Sequence, residues 1–384
     1  MQRKPLAGER WTEPAGEVSG IAGEWWTEPA GEVSGIAGEW WTAEKIRRGE
    51  GRRAVTIKDI AKRAGVSYST VSRALNGIGT ENTEKRRHIV ELAEEMGYVR
   101  NQAAVNLKLS RSYVIGLYFS TISKMTSPFV LHDVLTGVYS IVGSKYNVVV
   151  KGIDMFEPGT LNPSFYDGII VLSQRNSDSS FMDEVLEKKI PMVVICRTVY
   201  VDAPNVTTDE ANAMERAMDY LIDNGHRKIC VIEGAPQLDS TRLRHRGWQT
   251  SARKHGLDPD LIPMISGNYR YASGYQGAKV LLEHKPTAIL CFNDEMAFGA
   301  REAIAEAGLK VPDDVSLIGF DNWDLSGYNS MRLTTVERSM SEIAKEGTRV
   351  LLRRLEDGIE DNSRIFLENK LIIRDTVKDI REKH

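Results

Sequence analysis

The chain has 384 residues, of which 41% are hydrophobic and 27% are charged, and its formal net charge at pH 7 is −3. These values are ordinary for a soluble protein of two to three domains. No run of eighteen apolar residues occurs, so we expect no membrane span, and the N-terminus lacks the apolar core of a signal peptide, so we expect no secretory signal. Residues 55–113 carry ten positive and six negative side chains, whereas residues 114–384 carry 32 and 38. A basic segment ahead of an acidic body is expected where one small part of a chain contacts phosphate.

A repeat of 15 residues opens the chain. Residues 8–22 and 23–37 read GERWTEPAGEVSGIA and GEWWTEPAGEVSGIA, and a third copy begins at Gly38. The unit has neither helical nor strand periodicity. Two interpretations of residues 1–54 are open: a disordered extension of unknown role, or a segment outside the working protein, with translation starting at Val55. We favour the second because the pattern of a folded domain begins at Val55.

Residues 56–77, TIKDIAKRAGVSYSTVSRALNG, predict two short helices joined by a tight turn. Thr56 and Asp59 have the spacing of a helix-capping pair, and Gly65 can adopt the left-handed conformation that ends a helix. Ser67 can then cap the second helix. Since apolar residues recur on one face of each helix, the segment is predicted to form a helix-turn-helix, which a third helix follows.

The second of these helices presents a polar outer face that contains Tyr68, Ser69, Ser72 and Arg73. An arginine there can form a bidentate contact to guanine in the major groove of DNA, and short hydroxyl groups can bond to phosphates or bases. Without a known relative, a generic helical hairpin with a solvated polar face would be the preferred interpretation.

This segment closely resembles the DNA-binding headpiece of the LacI/GalR family of bacterial transcription regulators. The similarity includes DIAKRAGVS, TVSRALNG and the later MGY, and it covers about twenty consecutive positions. The resemblance implies that Tyr68, Ser69 and Arg73 read bases. It implies that Thr56, Ser72 and Asn76 hold phosphates, and Thr70 belongs to the same DNA-binding set.

Residues 102–109, QAAVNLKL, have the pattern of a short amphipathic helix. Members of the family carry here a hinge helix that folds on the operator and inserts a leucine into the minor groove, so the resemblance implies that Leu107 is this wedge and that Lys108 pairs with a phosphate. Many relatives have Arg where this chain has Val105, and we therefore expect weaker hinge contacts. The predicted divisions are 1–54 (extension), 55–101 (headpiece), 102–113 (hinge and linker) and 114–384 (effector-binding and dimerisation domain).

From residue 114 onward, strand-like and helical stretches alternate. The strand-like runs are 114–120, 148–153, 168–172, 192–196, 229–233, 288–292 and 315–320. This alternation predicts an α/β fold of parallel sheets with helices on both faces, and about 270 residues are too many for one sheet, so two lobes are expected. Ligands of such folds bind at the carboxyl ends of the strands, in the cleft between the lobes.

Polar side chains stand at these strand ends. Asn293 follows the run 288–292, Asp321 follows 315–320, and Arg244 comes just after the run 229–233. Amide, carboxylate and guanidinium groups that converge on a cleft can bind vicinal hydroxyls, while Phe129 and Tyr269 can stack on a sugar face or a base. The alternatives are that Asn293 and Asp321 cap a helix or brace a loop, and that the aromatic residues only pack.

The LacI/GalR resemblance continues here through GHRKICVIEG, PTAILCFNDEMAFGA and VPDDVSLIGFDN. It implies a periplasmic-binding-protein-like domain in which Arg244, Asn293 and Asp321 contact the effector and Phe129 and Tyr269 line its pocket. We therefore expect a repressor of a palindromic DNA operator that is controlled by a small effector. A sugar is preferred, and a purine corepressor or a phosphoprotein partner remains the alternative.

The chain is expected to cross between the lobes three times, near Asp209, after Asp321 and near Val336, which lets effector binding shift the lobes and reach the hinge helices. No leucine heptads follow residue 377, so we expect a homodimer and not a coiled-coil tetramer.

Other classes of protein are disfavoured. The sequence has no Walker loop, zinc-ligand spacing or nucleophile elbow, so we expect no enzymatic activity, cofactor or metal. A secreted sugar-binding transport component would lack the headpiece. Cys196, Cys230 and Cys291 are far apart in apolar runs, which favours reduced, buried thiols in a cytoplasmic protein. A DNA-binding repressor is expected to be associated with the nucleoid.

Overall fold

A computed structural model of the protein describes residues 55–76, 83–98, 111–122, 126–199, 202–323, 332–360 and 362–381. The chain divides into two compact units, Met1–Arg100 and Asn101–His384. The predicted extension 1–54 and the predicted hinge helix 102–109 lie outside the described residues. Within the described ranges, no helix is both long and apolar enough to cross a bilayer.

The first unit is built from three helices: α1 (Ile57–Ala64), α2 (Tyr68–Asn76) and α3 (Thr83–Glu95). They share a small apolar core in which Ile60, Val71 and Ile89 are at most 1% exposed. Each helix contributes to this core, so none of them buries its apolar face alone. The predicted helix-turn-helix is confirmed.

The ends of these helices form as their sequence predicts. The Thr56 backbone N–H donates to the Asp59 carboxylate at 2.9 Å, which closes the first turn of α1. Gly65 ends α1 with φ +65°, and the Ser67 hydroxyl accepts from the Thr70 backbone N–H at 3.2 Å at the start of α2. Local chemistry therefore determines the turn between the two helices.

The second unit contains two α/β lobes, and the N-terminal lobe has a six-stranded, all-parallel sheet. Its strands, in order across the sheet, are β11 (Arg364–Leu367), β5 (Asn205–Thr208), β4 (Met192–Ile195), β3 (Gly168–Leu172), β1 (Val114–Phe119) and β2 (Asn147–Gly152). The helices of this lobe are α4 (Pro128–Val142), α5 (Ser179–Glu187) and α10 (Met340–Glu356).

The C-terminal lobe repeats this architecture with one antiparallel edge strand, since β12 runs antiparallel to β10. The strands, in order across the sheet, are β12 (Lys370–Ile372), β10 (Thr334–Glu337), β9 (Ser316–Asp321), β8 (Ala288–Cys291), β6 (Ile229–Glu233) and β7 (Met264–Ser266). The helices are α6 (Glu210–Asp223), α7 (Asp239–Lys254), α8 (Tyr271–Leu281) and α9 (Asp294–Glu306). The predicted α/β fold with parallel sheets is confirmed.

Helices α8 and α9 cross at very short range in the C-terminal lobe. A Cβ atom added at Gly274 would lie 2.1 Å from the backbone oxygen of Met296. Only glycine permits this approach, which lets both helices cover the same face of the sheet. The core of the C-terminal lobe includes Trp248 and Phe292, each at most 1% exposed.

The chain crosses between the lobes three times within the described residues, but one crossing differs from the prediction. The crossings after β5 and after β10 are as expected near Asp209 and Val336. The crossing predicted after Asp321 is wrong, because β9 and β10 pair in one sheet. The third crossing instead joins β11 to β12. Sequence alone could not show this, because it does not reveal which sheet a short strand joins.

Five short strands carried too weak a pattern to be predicted: β5, β7, β10, β11 and β12. Three of them show why. NVTT in β5 and TTVE in β10 contain polar residues although most of their side chains are buried, and β7 has only three residues. The three cysteines, by contrast, are buried and free, as predicted.

Candidate functional site

The predicted DNA-reading residues lie on α2 and at the start of α1. Tyr68 is 53% exposed, Ser69, Arg73 and Thr56 are exposed, and Thr70 and Ser72 are half-buried. The hydroxyls of Ser69 and Thr70 each lie 2.8 Å from the Ser67 hydroxyl. This bonding orders the first turn of α2 beside the exposed tyrosine. Three further predicted contacts fall outside what the structure describes: the Asn76 side chain, Leu107 and Lys108.

A cavity of about 100 Å³ lies between the two lobes of the second unit, at the carboxyl ends of strands from both sheets. Its polar lining includes Ser120, Thr121, Thr126, Ser127, Gln174, Ser240, Arg244, Tyr269, Asn293, Asp321 and Arg338. Four of the five predicted effector residues are therefore brought together. This position is where ligands of parallel α/β folds bind.

Arg244 is the centre of a buried charge network. It lies in the middle of α7 and not directly behind β6, so the sequence placed it too close to the strand end. Its Nε donates to the Glu210 carboxylate at 2.7 Å, its Nη1 donates to the Phe292 carbonyl, and its Nη2 donates to Asp321 at 3.3 Å. The guanidinium also lies 3.7 Å from the centre of the Phe320 ring. These contacts fix its plane at the cavity wall.

Asp321 is a carboxylate whose side chain is only 10% exposed, and its surroundings disfavour the charged form. Burial raises its pKa to about 6, although Arg244 and then Arg338 lower it. Its backbone is also strained, with φ +107°, as is that of Tyr269 with φ +66°. Such conformations are costly for residues with a side chain, and they concentrate at functional sites.

We expect the free energy of unfolding of Asp321→Asn, relative to that of the wild type, to be about 2 kcal/mol higher at pH 7.5 than at pH 4.5. A carboxyl whose pKa is raised binds more protons when folded, so the unfolding free energy of the wild type falls as pH rises from about 4 to about 6. The amide cannot ionise and avoids this loss. Urea unfolding of both proteins at the two pH values measures the difference, and an equal difference at both would contradict the raised pKa.

Tyr269 and Asn293 form one wall of the cavity. The Tyr269 hydroxyl lies 2.7 Å from that of Thr241, and the Asn293 amide donates to the Tyr269 carbonyl at 3.0 Å. Asn293 also caps α9 by accepting from the Met296 N–H at 3.0 Å, so the alternative role considered from sequence is observed alongside its place in the cavity. A Cβ at Gly234 would lie 2.0 Å from the tyrosine ring, so this glycine makes room for it.

Phe129 differs from its prediction. It is 40% exposed and is not among the described residues that line the cavity; its ring stacks on Trp323 at 4.3 Å between centroids. It lies in the first turn of α4, where the helix directs Val130 to the cavity instead. Trp323, whose backbone N–H donates to the buried Asp294 at 2.9 Å, lines the cavity.

The lobes also contact each other beside the cavity. The Gln174 carbonyl of the N-terminal lobe accepts from the Asp239 N–H at 2.9 Å, and its side-chain oxygen accepts from the Ser240 N–H at 3.3 Å. Arg270 of the C-terminal lobe donates to the Thr126 carbonyl at 3.2 Å. A ligand between the lobes therefore lies next to contacts that depend on the lobe positions.

Sequence reasoning missed Glu210, Arg338 and Gln174. Glu210 is fully buried, and its two oxygens face Arg244 and Arg338 at 2.7 Å and 3.0 Å. Both missed charged residues stand directly at lobe crossings, after β5 and after β10. A charged residue at a lobe crossing could have indicated a site residue. The crossings had to be located before this indication could be used. Within the described ranges, no group of His, Cys, Asp and Glu could hold a metal ion.

Comparisons with known proteins agree over nearly the whole length of this architecture. Residues 56–101 match the family of bacterial regulatory proteins, lacI family, and residues 218–377 match the periplasmic binding protein-like domain. The chain is 37% identical over 328 residues to the probable HTH-type transcriptional repressor ExuR of Bacillus subtilis (strain 168), covering 84% of this chain and 98% of that protein. It is 30% identical over 338 residues to the HTH-type transcriptional repressor PurR of Histophilus somni (strain 129Pt), covering 85% and 99%.

The fold is also that of a solved regulator. A structure of the Lac repressor dimer bound to operator and the anti-inducer ONPF matches with a TM-score of 0.75 at 24% identity, covering 85% of this chain and all of that one. The chain combines a helix-turn-helix unit with a two-lobed α/β unit that encloses a polar cavity. This combination defines the class of DNA-binding regulators that are controlled by an effector. The chain belongs to the LacI family of bacterial regulatory proteins.

Proposed function

We propose that this protein is a transcriptional repressor whose affinity for its operator is controlled by a small carbohydrate bound between the lobes. The observation that carries the proposal is the cavity wall, where guanidinium, amide and carboxylate groups of Arg244, Asn293 and Asp321 stand together with serine and threonine hydroxyls. Such donors and acceptors match vicinal hydroxyl groups of a sugar.

The helix-turn-helix supplies the second half of the function. Tyr68, Ser69 and Arg73 read bases, and Thr56, Ser72 and Asn76 hold phosphates, with Thr70 beside them. Leu107 and Lys108 of the hinge segment add the minor-groove wedge and a phosphate contact. Two copies of the chain bind a palindromic site as a homodimer. The protein acts in the cytoplasm at the nucleoid and catalyses no reaction, in keeping with relatives that are transcriptional repressors.

Effector binding is coupled to DNA binding through the lobe positions. The cavity is bounded by both lobes, and contacts such as Gln174 to Ser240 form only when these are close. A ligand that prefers one lobe arrangement shifts the population toward it. We propose that this shift weakens operator binding and relieves repression. Control by a purine corepressor or a phosphoprotein is the alternative, since the PurR relative shows equal coverage.

The test is fluorescence anisotropy of the protein on DNA from upstream of its own and neighbouring genes, at fixed salt, with a panel of sugars and sugar derivatives. Release by one carbohydrate supports the proposal, whereas tight specific binding that only a purine or a protein partner changes favours the alternative. Fixed salt is necessary because phosphate contacts make DNA affinity depend on it.

Replacing Asp321 with alanine is expected to abolish release by the effector and to leave operator affinity unchanged, because the carboxylate lies in the cavity and far from the headpiece in sequence. Asp313→Ala is the matched control, since this aspartate of the same lobe is exposed and pairs only with Lys378 among the described residues. An Asp321→Ala protein that still releases DNA at normal effector concentration would refute the assigned role.

A further inference from the structure

Arg338 is a second guanidinium on the cavity wall, and part of its hydrogen-bonding capacity is unused. The residue follows β10 directly, at the point where the chain passes to the N-terminal lobe, and it is 7% exposed. Its Nη2 forms an ion pair with a Glu210 oxygen at 3.0 Å, but the two atoms are not aligned as a hydrogen bond, and Nε has no hydrogen-bond partner within the described part of the chain. Buried polar groups are almost always hydrogen-bonded, so this pair of donors calls for an explanation.

The unused donors have the geometry of a carboxylate receptor. Nε–H and one of the two Nη2–H bonds lie side by side on one edge of a guanidinium, and this edge fits the two oxygens of a carboxylate. Because Nη2 carries two protons, its contact with Glu210 leaves one of them available. A single hydroxyl group would satisfy only one of the two donors.

The start of α4, which also lines the cavity, favours negative charge as well. Ser127 precedes α4, a helix of 15 residues, and its hydroxyl is buried on the cavity wall without a hydrogen-bond partner. The amino end of a helix carries partial positive charge, so an anion is stabilised there. Two independent features of the cavity lining, the Arg338 donors and the start of α4, thus indicate an anionic ligand group.

We propose that the effector is a carbohydrate that carries a carboxylate group, and that the Arg338 guanidinium binds this carboxylate. The inference rests on the proposed function and narrows its ligand class. Arg244, Asn293 and Asp321 take the hydroxyl groups of the sugar, and the carboxylate lies at the lobe crossing. A carboxylate bound by Arg338 contacts the chain segment that joins the two lobes. Binding of the charged group is thereby coupled to the relative position of the lobes.

The charges of the site favour a monoanion over a phosphate dianion. Arg244 and Arg338 face Glu210 and Asp321, so two positive groups are matched by two negative groups. A carboxylate adds one negative charge beside Arg338, whereas a phosphate monoester adds nearly two in the presence of the same acidic residues. Sugar phosphates are therefore expected to bind more weakly than sugar acids of the same configuration.

The experiment compares sugars that differ only in oxidation of C6. Isothermal titration calorimetry measures binding of galactose, galacturonate and galactose 6-phosphate, and of glucose, glucuronate and glucose 6-phosphate, to the full chain without DNA. In at least one series, the acid is expected to bind about ten- to hundredfold more tightly than the neutral sugar, as a charge-assisted hydrogen-bonded pair contributes. Arg338→Gln is expected to remove this preference, Arg338→Lys to keep part of it, and Arg349→Gln, an exposed change on α10, to keep all of it.

The outcomes separate this inference from the proposed function, because operator release is measured with the same compounds. If a neutral sugar or a sugar phosphate binds more tightly than the acid and releases the operator, the carboxylate inference fails and the proposed function stands. A preference for the acid that survives in Arg338→Gln overturns the assignment to Arg338. If none of these six carbohydrates binds or releases DNA but another neutral sugar or sugar phosphate of the panel does, the inference fails and the proposed function stands; if no carbohydrate of the panel does, both are wrong. The comparison of wild-type affinities requires no variant, so a failure of Arg338→Gln to fold leaves the ligand class testable.

Discussion

Replacing Glu210 with alanine is expected to lower the free energy of unfolding by about 3–5 kcal/mol, the largest stability effect that we expect from any single charge in the site. Glu210 is fully buried and is the carboxylate partner of two buried guanidinium groups, Arg244 at 2.7 Å and Arg338 at 3.0 Å. Its removal leaves both in a poorly solvated environment, with only Asp321 to balance them. Burial acts to lower the pKa of Arg244, but Glu210 and then Asp321 raise it, so the guanidinium remains charged and cannot escape the cost by losing its proton.

Urea unfolding followed by far-ultraviolet circular dichroism measures this effect. The matched control is Glu215→Ala in the same helix, since Glu215 is partly exposed and its one described ion pair, with Lys254, is long at 3.9 Å. Surface pairs of this kind contribute at most about 1 kcal/mol. Equal unfolding midpoints for the two variants would show that the buried network does not depend on Glu210. Glu210→Gln keeps the shape of the side chain, so comparison with Glu210→Ala separates the loss of charge from the loss of packing.

Replacing Arg73 with alanine is expected to reduce discrimination between the operator and random DNA by about 1–3 kcal/mol, or about 5- to 150-fold. Arg73 is exposed on α2 and contributes nothing to the headpiece core, so folding is expected to be unchanged. In the major groove its guanidinium can form two parallel hydrogen bonds to the O6 and N7 atoms of guanine. Alanine loses both, and only the sequence-independent phosphate contacts of the headpiece remain.

Competition anisotropy with operator and scrambled duplexes at the same salt concentration provides the measurement. Arg87→Ala is the matched control, because it removes the same charge from an exposed position of α3, where Arg87 lies 3.8 Å from Glu91. This control is expected to weaken both duplexes by similar factors. If Arg73→Ala also weakens both equally, Arg73 contacts phosphate and the assigned base-reading role is wrong.

The effector site combines features that are costly for folding. Asp321 is ionised at neutral pH although burial raises its pKa to about 6, and its backbone lies at φ +107°. Arg338 holds buried donors without hydrogen-bond partners. Such costs persist in a folded protein when the surrounding structure enforces them, and they are typical of sites that bind a ligand. Replacement of Asp321 by asparagine is accordingly expected to remove the pH-dependent part of this cost, and replacement by alanine to abolish the effector response.

Much of this protein could be determined from its sequence alone. The headpiece follows from local chemistry, because the Thr56–Asp59 pair, Gly65 and Ser67 define helix ends within a few residues. Seven of the strands follow from apolar runs, and polar residues directly after two of them indicated Asn293 and Asp321. These features could be predicted because the residues that determine them lie within a few positions of one another in the chain.

Only the tertiary structure decided how the lobes are connected and which charges meet between them. The sequence placed a crossing after Asp321, but β9 and β10 pair in one sheet and the third crossing lies between β11 and β12. Glu210 and Arg338 are 128 positions apart in the chain and lie 3.0 Å apart in the fold. Phe129 was assigned to the cavity, yet it stacks on Trp323. Contacts of this kind depend on sheet order and on the relative placement of distant helices, which long-range packing sets and which local sequence patterns do not encode.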